Sequence, residues 1–367
     1  MSRPLSAVVM AAGEGTRMRS TRPKPLHLLC GRPMLLYVLD AIGPLDVERT
    51  VVVVGHGAER VSKKVMDLAA PDLRVEFVEQ HVQRGTADAL SVALTAFPDD
   101  DFDDGDLLVL PGDTPLLRPG TVEALVAGHR ASDAAATLLT ARVPDPTGYG
   151  RVVRGKDGRV ARVVEHHDAT PDERAIDEVN TSIYCFRRSV VAPALRRISP
   201  DNHQGEYYLT DVVAVLAEAG YRVDARVADD AGETGGVNDR AQLAEAESAL
   251  RTRTNQAWLR AGVTMVDPRR TYVDATVELA RDVTLFPGVI LQGRTVIGAG
   301  TEVGPGCHLV DTVVGEGCHL EAVVAHDAEI GAEARVGPFV ALRPGDHIPP
   351  GARTGPFYTP EGEGGAG

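Results

Sequence analysis

Hydrophobic residues follow two different patterns along this chain. From residue 1 to about 230, short unbroken apolar runs stand between segments of helical period, which predicts strands at residues 50–54, 75–78 and 107–110 and a helix at 120–131. Unbroken apolar runs are typical of strands that are buried on both faces of a parallel sheet. Because strands and helices alternate in this way, we predict a doubly wound α/β domain.

A six-residue repeat occupies the last part of the chain. Aliphatic residues recur at every sixth position, and glycine directly follows five of them. This pattern indicates a left-handed parallel β-helix, in which each aliphatic side chain stacks inside a triangular coil. The repeated residues are Val277, Val283, Val289, Ile297, Val303, Leu309, Val314, Leu320, Ile330, Val336, Leu342 and Ile348.

Between these two patterns, residues 239–262 are rich in Ala, Leu, Glu and Arg and end at Gly262, which predicts a connecting helix. We therefore expect an α/β domain at 1–238, this helix, and a short β-helix at 263–359. A length of 367 residues exceeds the size at which one hydrophobic core keeps growing, which supports two domains. Residues 360–367 offer nothing apolar to bury and are expected to form a disordered tail.

Charge and composition exclude several classes of partner. The formal charge of -14 at pH 7, without any run of Lys and Arg, argues against nucleic acid and membrane surfaces. No apolar segment is long enough to cross a bilayer, and the first residues lack the apolar core of a secretory signal, so we expect a cytoplasmic protein. The scattered Cys30, Cys185, Cys307 and Cys318 predict buried reduced thiols.

A glycine-rich loop follows the first apolar run, at residues 6–10. Gly13 and Gly15 allow a tight turn that brings backbone N–H groups close to an anion, and Arg17 and Lys24 can neutralise phosphate charge. The loop lacks the Gly-Lys-Ser/Thr of a P-loop and the third glycine of a dinucleotide fingerprint, where Met18 stands. We predict a phosphate-binding loop; a plain strand-to-helix connector is the alternative.

A carboxylate follows the strand predicted at 107–110. Asp113 lies in the sequence Pro-Gly-Asp-Thr-Pro, just past the carboxyl end of that strand, where α/β sheets assemble their sites. Mg²⁺ is often held by one or two protein oxygens together with phosphate oxygens and water, so Asp113 and Asn238 would be sufficient. A turn or helix cap is the alternative role of Asp113.

Further motifs are ordinary turn or surface sequences when each is taken alone. In their order and identity they resemble the bacterial bifunctional N-acetylglucosamine-1-phosphate uridylyltransferase and glucosamine-1-phosphate acetyltransferase family, over nearly the whole chain. These motifs, which add to the loop at 13–17, are Gln80, Gly85-Thr86, Gly148-Tyr149-Gly150-Arg151, Glu165, Glu178-Val179-Asn180-Thr181 and the segment 204–211.

The resemblance implies transfer of a uridylyl group from UTP to a sugar 1-phosphate, assisted by Mg²⁺, and a homotrimer formed through the β-helix. It implies that Arg17 and Lys24 stabilise the transferring phosphoryl group and that Asp113 and Asn238 bind the metal. The residues implied for the nucleotide are Ala11, Ala12, Gly13, Gly15, Thr16, Gln80, Gly85 and Thr86, and those for the sugar phosphate are Gly150, Glu165 and Asn180.

The chain departs from the family pattern at its end. In the family the β-helix continues beyond the coil that contains Arg343 and brings the residues for acetyl transfer, whereas this sequence ends first. We therefore do not expect acetyl transfer, or a hexapeptide-repeat acyltransferase. The histidines of the repeat, His308, His319, His326 and His347, are expected to be solvated or stacked rather than to bind a metal.

A second departure lies beside the expected base pocket. Gly85-Thr86-Ala87-Asp88 stands where the family has Gly-Thr-Gly-His, and Pro111 stands where many members have another side chain. These differences leave the substrate open, so uridylyl or thymidylyl transfer to another sugar phosphate, such as glucose 1-phosphate, is one alternative. A non-catalytic sugar-nucleotide sensor or scaffold is another, although such a protein has little need for the expected metal pair and cations.

Overall fold

The structure is a computed structural model that describes residues 3–69, 74–97 and 105–360. It divides into two compact units: the chain up to His27 together with Pro33–Leu243, and Leu28–Arg32 together with the chain from Ala244 onward. The tail expected at 360–367 lies, from residue 361, outside the described residues. None of the helices within the described ranges is long and apolar enough to cross a membrane.

The first unit is built on one large sheet with helices on both faces. Its helices are α1 (Met34–Ile42), α2 (Ala58–Leu68), α3 (Thr86–Leu94), α4 (Pro119–Ser132), α5 (Pro171–Arg174), α6 (Arg188–Leu195) and α7 (Asp211–Glu218). Its strands are β1 (Leu5–Ala11), β4 (Val47–Val54), β5 (Val75–Glu79), β6 (Asp106–Pro111), β7 (Ala136–Arg142), β8 (Arg151–Arg154), β9 (Val160–Val164), β10 (Glu178–Arg187) and β11 (Val223–Val227), while β2 (Leu28–Leu29) and β3 (Arg32–Pro33) pair separately.

β1 lies at the centre of this sheet, parallel to β4 on one side and to β6 on the other. Its alternate side chains enter two different cores: Val8 packs in the cluster that contains Leu90 of α3, and Val9 packs in the cluster that contains Leu39 of α1. Each fully buried side chain of this kind stabilises the fold by about 2 kcal/mol. The structure therefore confirms the prediction, made from the unbroken apolar run, that this strand is buried on both faces.

The sheet is mixed, which the local sequence pattern did not predict. Its main path runs β11-β7-β10-β6-β1-β4-β5, and β10 is antiparallel to both β6 and β7. Because Tyr184 pairs with Val109, the beginning of β10 lies beside the carboxyl end of β6. Three segments therefore converge at one edge: the loop after β1, the turn after β6 and the start of β10.

The second unit is a coil of short parallel strands in three sheets of five strands each. The strands are β12 (Thr264–Met265), β13 (Tyr272–Val273), β14 (Glu278–Leu279), β15 (Thr284–Leu285), β16 (Ile290–Gln292), β17 (Val296–Ile297), β18 (Glu302–Val303), β19 (His308–Val310), β20 (Val313–Val314), β21 (His319–Leu320), β22 (Val323–His326), β23 (Glu329–Ile330), β24 (Arg335–Val336), β25 (Val340–Leu342) and β26 (His347–Ile348). A helix, α8 (Arg240–Arg260), precedes them.

This architecture confirms the left-handed β-helix predicted from the repeat. All the aliphatic residues of the six-residue repeat are at most 3% exposed. Steric contact explains why glycine follows five of them, because a Cβ atom at each of these positions would stand 2.1–2.5 Å from the backbone of a neighbouring coil. These glycines are Gly298, Gly304, Gly315, Gly331 and Gly337.

The side chains singled out for other chemistry have ordinary partners in the fold. All four cysteines are buried free thiols, as predicted. On the β-helix, His308 Nε2 lies 2.9 Å from Gln292 Oε1, and His319 Nδ1 lies 3.0 Å from Glu302 Oε2. The His308 and His326 rings are in edge contact at 5.8 Å. Within the described residues, no group of three or more acidic, His or Cys side chains is arranged to hold a metal ion.

Candidate functional site

A cavity of about 740 Å³ opens at the edge of the sheet where β1, β6 and β10 converge. Every residue that the sequence analysis singled out for catalysis, metal or substrate lines it. These are Ala11, Ala12, Gly13, Gly15, Thr16, Arg17, Lys24, Gln80, Gly85, Thr86, Asp113, Gly150, Glu165, Asn180 and Asn238. The structure therefore brings all of them together within the first unit.

The glycine-rich loop is a tight turn between β1 and a short 3-10 helix at Thr16–Met18. Gly15 has a φ of 64°, in the left-handed region that favours glycine, and a Cβ atom there would stand 2.7 Å from the Cβ atom of Lys24. Gly13, by contrast, has open space around it. The buried Met18 anchors the end of the turn in the protein.

Lys24 links the two residues of the expected metal site. Its ammonium group contacts Asp113 Oδ2 and donates a hydrogen bond of 2.9 Å to Asn238 Oδ1. Arg17 Nη2 donates to the same oxygen atom at 3.1 Å. Because the backbone N–H of Val237 donates to the carbonyl oxygen of Asp113 at 2.8 Å, the loop that carries Asn238 is held beside the end of β6.

This donor set fits a magnesium ion. A carboxylate oxygen of Asp113 and an amide oxygen of Asn238 both contact the single ammonium group of Lys24, so one cation already bridges them. Hard oxygen donors are the ligands that Mg²⁺ takes in proteins, with phosphate oxygens and water completing an octahedron. Asp113 and Asn238 are therefore the residues of this cavity that would hold the metal.

A second part of the cavity is organised around the amide of Gln80. This side chain is buried and follows β5 directly. Its Nε2 atom donates to Asp88 Oδ2 at 2.8 Å and to the carbonyl oxygen of Gly85 at 3.3 Å. Thr86 opens α3, and its Oγ1 atom accepts a hydrogen bond of 2.9 Å from the backbone N–H of Leu209.

The third part of the cavity is lined by β10. A bulge after Asn180 interrupts the pairing of β10 with β7. The amide of Asn180 is buried; its Nδ2 atom donates to Tyr184 Oη at 2.7 Å, and its Oδ1 atom has no partner among the described residues. The backbone N–H of Asn180 donates to the carbonyl oxygen of Gly150 at 2.9 Å.

Glu165 faces the same part of the cavity, with Oε1 accepting a hydrogen bond of 3.1 Å from Thr210 Oγ1. Loss of hydration raises the pKa of the Glu165 carboxyl above its usual value. The hydrogen bond from Thr210 opposes that rise, and the nearby carboxylates of Asp211 and Asp168 add to it. The ionised form of Glu165 therefore lowers the free energy of unfolding of the protein.

Three residues orient side chains of the site, but no pattern in the sequence assigned them this role. Asp88, Thr210 and Tyr184 orient Gln80, Glu165 and Asn180 through the hydrogen bonds given above. Asp88 was visible only as a departure from the family motif, and Thr210 only as part of the segment 204–211. Tyr184 lies four residues after Asn180 in β10, where the bulge brings the two side chains together.

Comparison with known proteins agrees with this geometry. The family model described as nucleotidyl transferase matches residues 6–259. A protein of Streptomyces coelicolor named bifunctional protein GlmU is 47% identical over 356 residues, which cover 97% of this chain and 73% of that protein. The protein of the same name from Thermobifida fusca is 48% identical, with 92% of this chain and 68% of that protein covered.

A more distant relative gives the same result. The bifunctional protein GlmU of Shouchella clausii is 42% identical over 351 residues, with 96% of this chain and 75% of that protein covered. The family model spans every residue that lines the cavity described above. The chain therefore belongs to the nucleotidyl transferase family, with the bifunctional GlmU proteins as relatives, and is a sugar-1-phosphate nucleotidyltransferase.

Proposed function

We propose that this enzyme transfers the uridylyl group of UTP to N-acetylglucosamine 1-phosphate, with Mg²⁺ bound by Asp113 and Asn238, and releases pyrophosphate. The observation that carries the proposal is the joint contact of Lys24 with both proposed metal ligands, beside a glycine-rich loop in one cavity. Anionic substrates need such local cations in a chain whose formal charge is -14.

The proposed reaction is a direct displacement at the α-phosphorus of UTP. A phosphate oxygen of the sugar phosphate forms a new P–O bond, and the bond to the β-phosphate breaks as pyrophosphate leaves. Protein groups then contribute by position and charge, because no nucleophilic side chain is required. Lys24 and Arg17 offset the negative charge of the phosphate oxygens, and a bound Mg²⁺ would supply further positive charge there.

The sugar subsite offers acceptors to the substrate. Glu165 and Asn180 both line the cavity, and their carboxylate and amide oxygens can accept hydrogen bonds from hydroxyl or acetamido N–H groups. The Oδ1 atom of Asn180 is buried and has no partner among the described residues. A buried acceptor without a donor is costly, so a sugar that supplies donors to both is favoured. Glucose 1-phosphate supplies hydroxyl groups only, and it is the second candidate acceptor.

The proposal includes a homotrimer that forms through the β-helix. The sheet of β12, β15, β18, β21 and β24 presents polar residues outward, whereas the sheet of β13, β16, β19, β22 and β25 presents a more apolar face. Tyr272 and Val324 on that face are each 43% exposed. Exposed apolar side chains such as these, which alternate on this face with Gln292, His308 and His326, are typical of interaction sites. The outward residues of this face include Tyr272, Ile290, Val310 and Val324.

A substrate panel tests the proposed function. Pyrophosphate release is measured with Mg²⁺ while UTP, dTTP and CTP are crossed with the 1-phosphates of N-acetylglucosamine, glucosamine and glucose. Fast release only with UTP and the N-acetylated sugar is the expected result. Selectivity for glucose 1-phosphate would show that this sugar phosphate is the substrate. Nucleotide binding without pyrophosphate release in any combination would instead support the alternative of a non-catalytic sugar-nucleotide sensor.

A further inference from the structure

We infer that Asp88 is a positioning residue that fixes the orientation of the Gln80 amide and thereby makes the base subsite select uracil over cytosine. The inference rests on the proposed function, from which it takes UTP as the nucleotide. It concerns a residue that does not itself have to contact the base, at the position where the chain departs from the family motif.

The surroundings of Gln80 fix its side chain in place. Gln80 is 4% exposed, and its backbone N–H donates to the carbonyl oxygen of Val54 at 2.8 Å, which continues the pairing of β4 and β5. The Nε2 atom meets two acceptors, Asp88 Oδ2 at 2.8 Å and the carbonyl oxygen of Gly85 at 3.3 Å. Both N–H groups of the amide are thereby used.

The chemistry of these two partners removes the usual ambiguity of an amide side chain. An ionised carboxylate and a backbone carbonyl can only accept hydrogen bonds, so the NH₂ end of the Gln80 amide must face them. The Oε1 atom then points away from both. It accepts no hydrogen bond from the described residues, and Gln80 lines the cavity, so this oxygen is an available acceptor for a ligand.

An acceptor at this place discriminates between the pyrimidine bases. Uracil carries a hydrogen on N3 and can donate to Gln80 Oε1, whereas N3 of cytosine is itself an acceptor. Two acceptors facing each other in a buried site leave both unsatisfied, and sites of this kind reject the mismatched ligand strongly. An amide in the reversed orientation would favour cytosine instead.

Asp88 also has a structural role in its helix, and the test must distinguish this role from the positioning of Gln80. It lies in the first turn of α3, where a carboxylate stabilises the positive end of the helix. In that role, its removal would weaken the helix and lower the affinity for every nucleotide alike. If Asp88 acts through Gln80, its removal changes the ratio between nucleotides, and only while Gln80 is present.

The experiment measures dissociation constants of UTP and CTP, with Mg²⁺, by calorimetry for the full chain and its variants. Asp88→Asn keeps the shape of the side chain but provides an NH₂ group toward which the Gln80 carbonyl can turn. We expect UTP affinity to fall about tenfold, the approximate effect of losing one charge-assisted hydrogen bond, with CTP affinity unchanged or higher. Glu79→Gln, an exposed neighbour that loses the same charge, should leave both constants as in the wild type.

A double-mutant cycle completes the test. Gln80→Ala should abolish the discrimination between UTP and CTP, and adding Asp88→Asn to it should change the ratio no further. An unchanged ratio in Asp88→Asn, or an equal loss of both affinities, would overturn the inference while the proposed function stands. A wild-type enzyme that does not bind UTP selectively would overturn both. If Asp88→Asn is unstable, Asp88→Ala replaces it, because this variant also removes the acceptor of Gln80 Nε2; the ratio of UTP to CTP affinity should fall, and an unchanged ratio would overturn the inference.

Discussion

Lys24 is the residue on which the chemistry of the site depends most. Its ammonium group contacts both Asp113 and Asn238, which places a positive charge next to the oxygens that would hold the metal. Bound phosphates would offer it further acceptors in the same cavity. A cation fixed in this way stabilises charge that builds up during transfer, and so acts more on turnover than on binding.

Replacing Lys24 should therefore slow the reaction with little effect on substrate affinity. For Lys24→Ala we expect kcat to fall by about 10²-fold to 10³-fold, as for other residues that stabilise transition-state charge. The change in KM should be small, because the lost interaction is made mainly in the transition state. Pyrophosphate release at saturating substrate concentrations measures kcat, and Lys156→Ala, at an exposed lysine, is the matched control. A kcat close to that of the wild type would show that Lys24 does not stabilise the transition state.

Glu165 illustrates how a site residue can lower stability. Burial raises its pKa, so the folded protein keeps this proton to a higher pH than the unfolded chain does. Between the two pKa values, folding takes up a proton, and stability falls as the pH rises through that range. Above the raised pKa, the ionised carboxylate costs stability, and this cost disappears as the pH falls.

Glu165→Gln should consequently be more stable and less active than the wild type. Its Tm should exceed that of the wild type at pH 8, and the difference should shrink as the pH falls through the raised pKa of Glu165. The KM for the sugar phosphate should rise, because the charged acceptor is lost. Thermal unfolding at a series of pH values, with steady-state kinetics, checks both. A variant less stable than the wild type at pH 8 would contradict this account.

At the scale of elements, the glycines of the β-helix are set by the stacking of coils. Gly315 shows the rule: a Cβ atom there would stand 2.5 Å from the backbone nitrogen of Ala332 in the next coil. The glycine that follows the inward aliphatic residue is thus a packing requirement. Real Cβ atoms are not found so close to backbone, so a substitution must push the coils apart.

Gly315→Ala should therefore destabilise the second unit, by about 2 kcal/mol as is typical of overpacked positions. Gly355→Ala is the matched control, because no atom lies within 4 Å of the added Cβ atom and the residue does not have a positive φ. Chemical denaturation followed by circular dichroism compares the two. Equal stabilities would show that the coils adjust without cost.

Local patterns predicted the elements well but not how distant ones pair. The strands β1, β4, β5 and β6, the helix α4 and the inward positions of the β-helix follow from apolar periodicity alone. The antiparallel β10 could not be predicted, because its pairing with β6 joins residues that are far apart in sequence.

The same limit applies to the site. The lining residues were found through their motifs, whereas the partners that orient them, such as Asp88 for Gln80 and Tyr184 for Asn180, depend on side-chain geometry that a sequence does not contain.

At the scale of the whole molecule, the two units have separate tasks in the proposed function. All the described residues that line the cavity belong to the first unit, so we expect nucleotidyl transfer to be retained when side chains of the β-helix are changed. The second unit has its own core of stacked aliphatic residues and presents the more apolar sheet face described above. We assign it the role of assembly.

Charges on that face should break the trimer and leave transfer intact. In the double variant Ile290→Glu and Val324→Glu, two carboxylates replace outward apolar residues, and burying them against another subunit would be costly. Light scattering should show a trimer for the wild type and a monomer for the variant, with pyrophosphate release retained. Thr264→Glu, on the polar sheet, should remain trimeric. A monomeric wild type would refute the assembly, and a trimeric variant would exclude this face.

We propose that Asp113 and Asn238 bind the metal that uridylyl transfer to the sugar phosphate requires. The most direct measurement is pyrophosphate release from UTP and N-acetylglucosamine 1-phosphate as Mg²⁺ is titrated into the metal-free wild type and into Asp113→Asn. We expect no release without metal, saturable activation of the wild type, and a variant whose release stays at least about 10²-fold lower at every concentration. Release from the metal-free enzyme, or an Asp113→Asn variant as fast as the wild type, would contradict it.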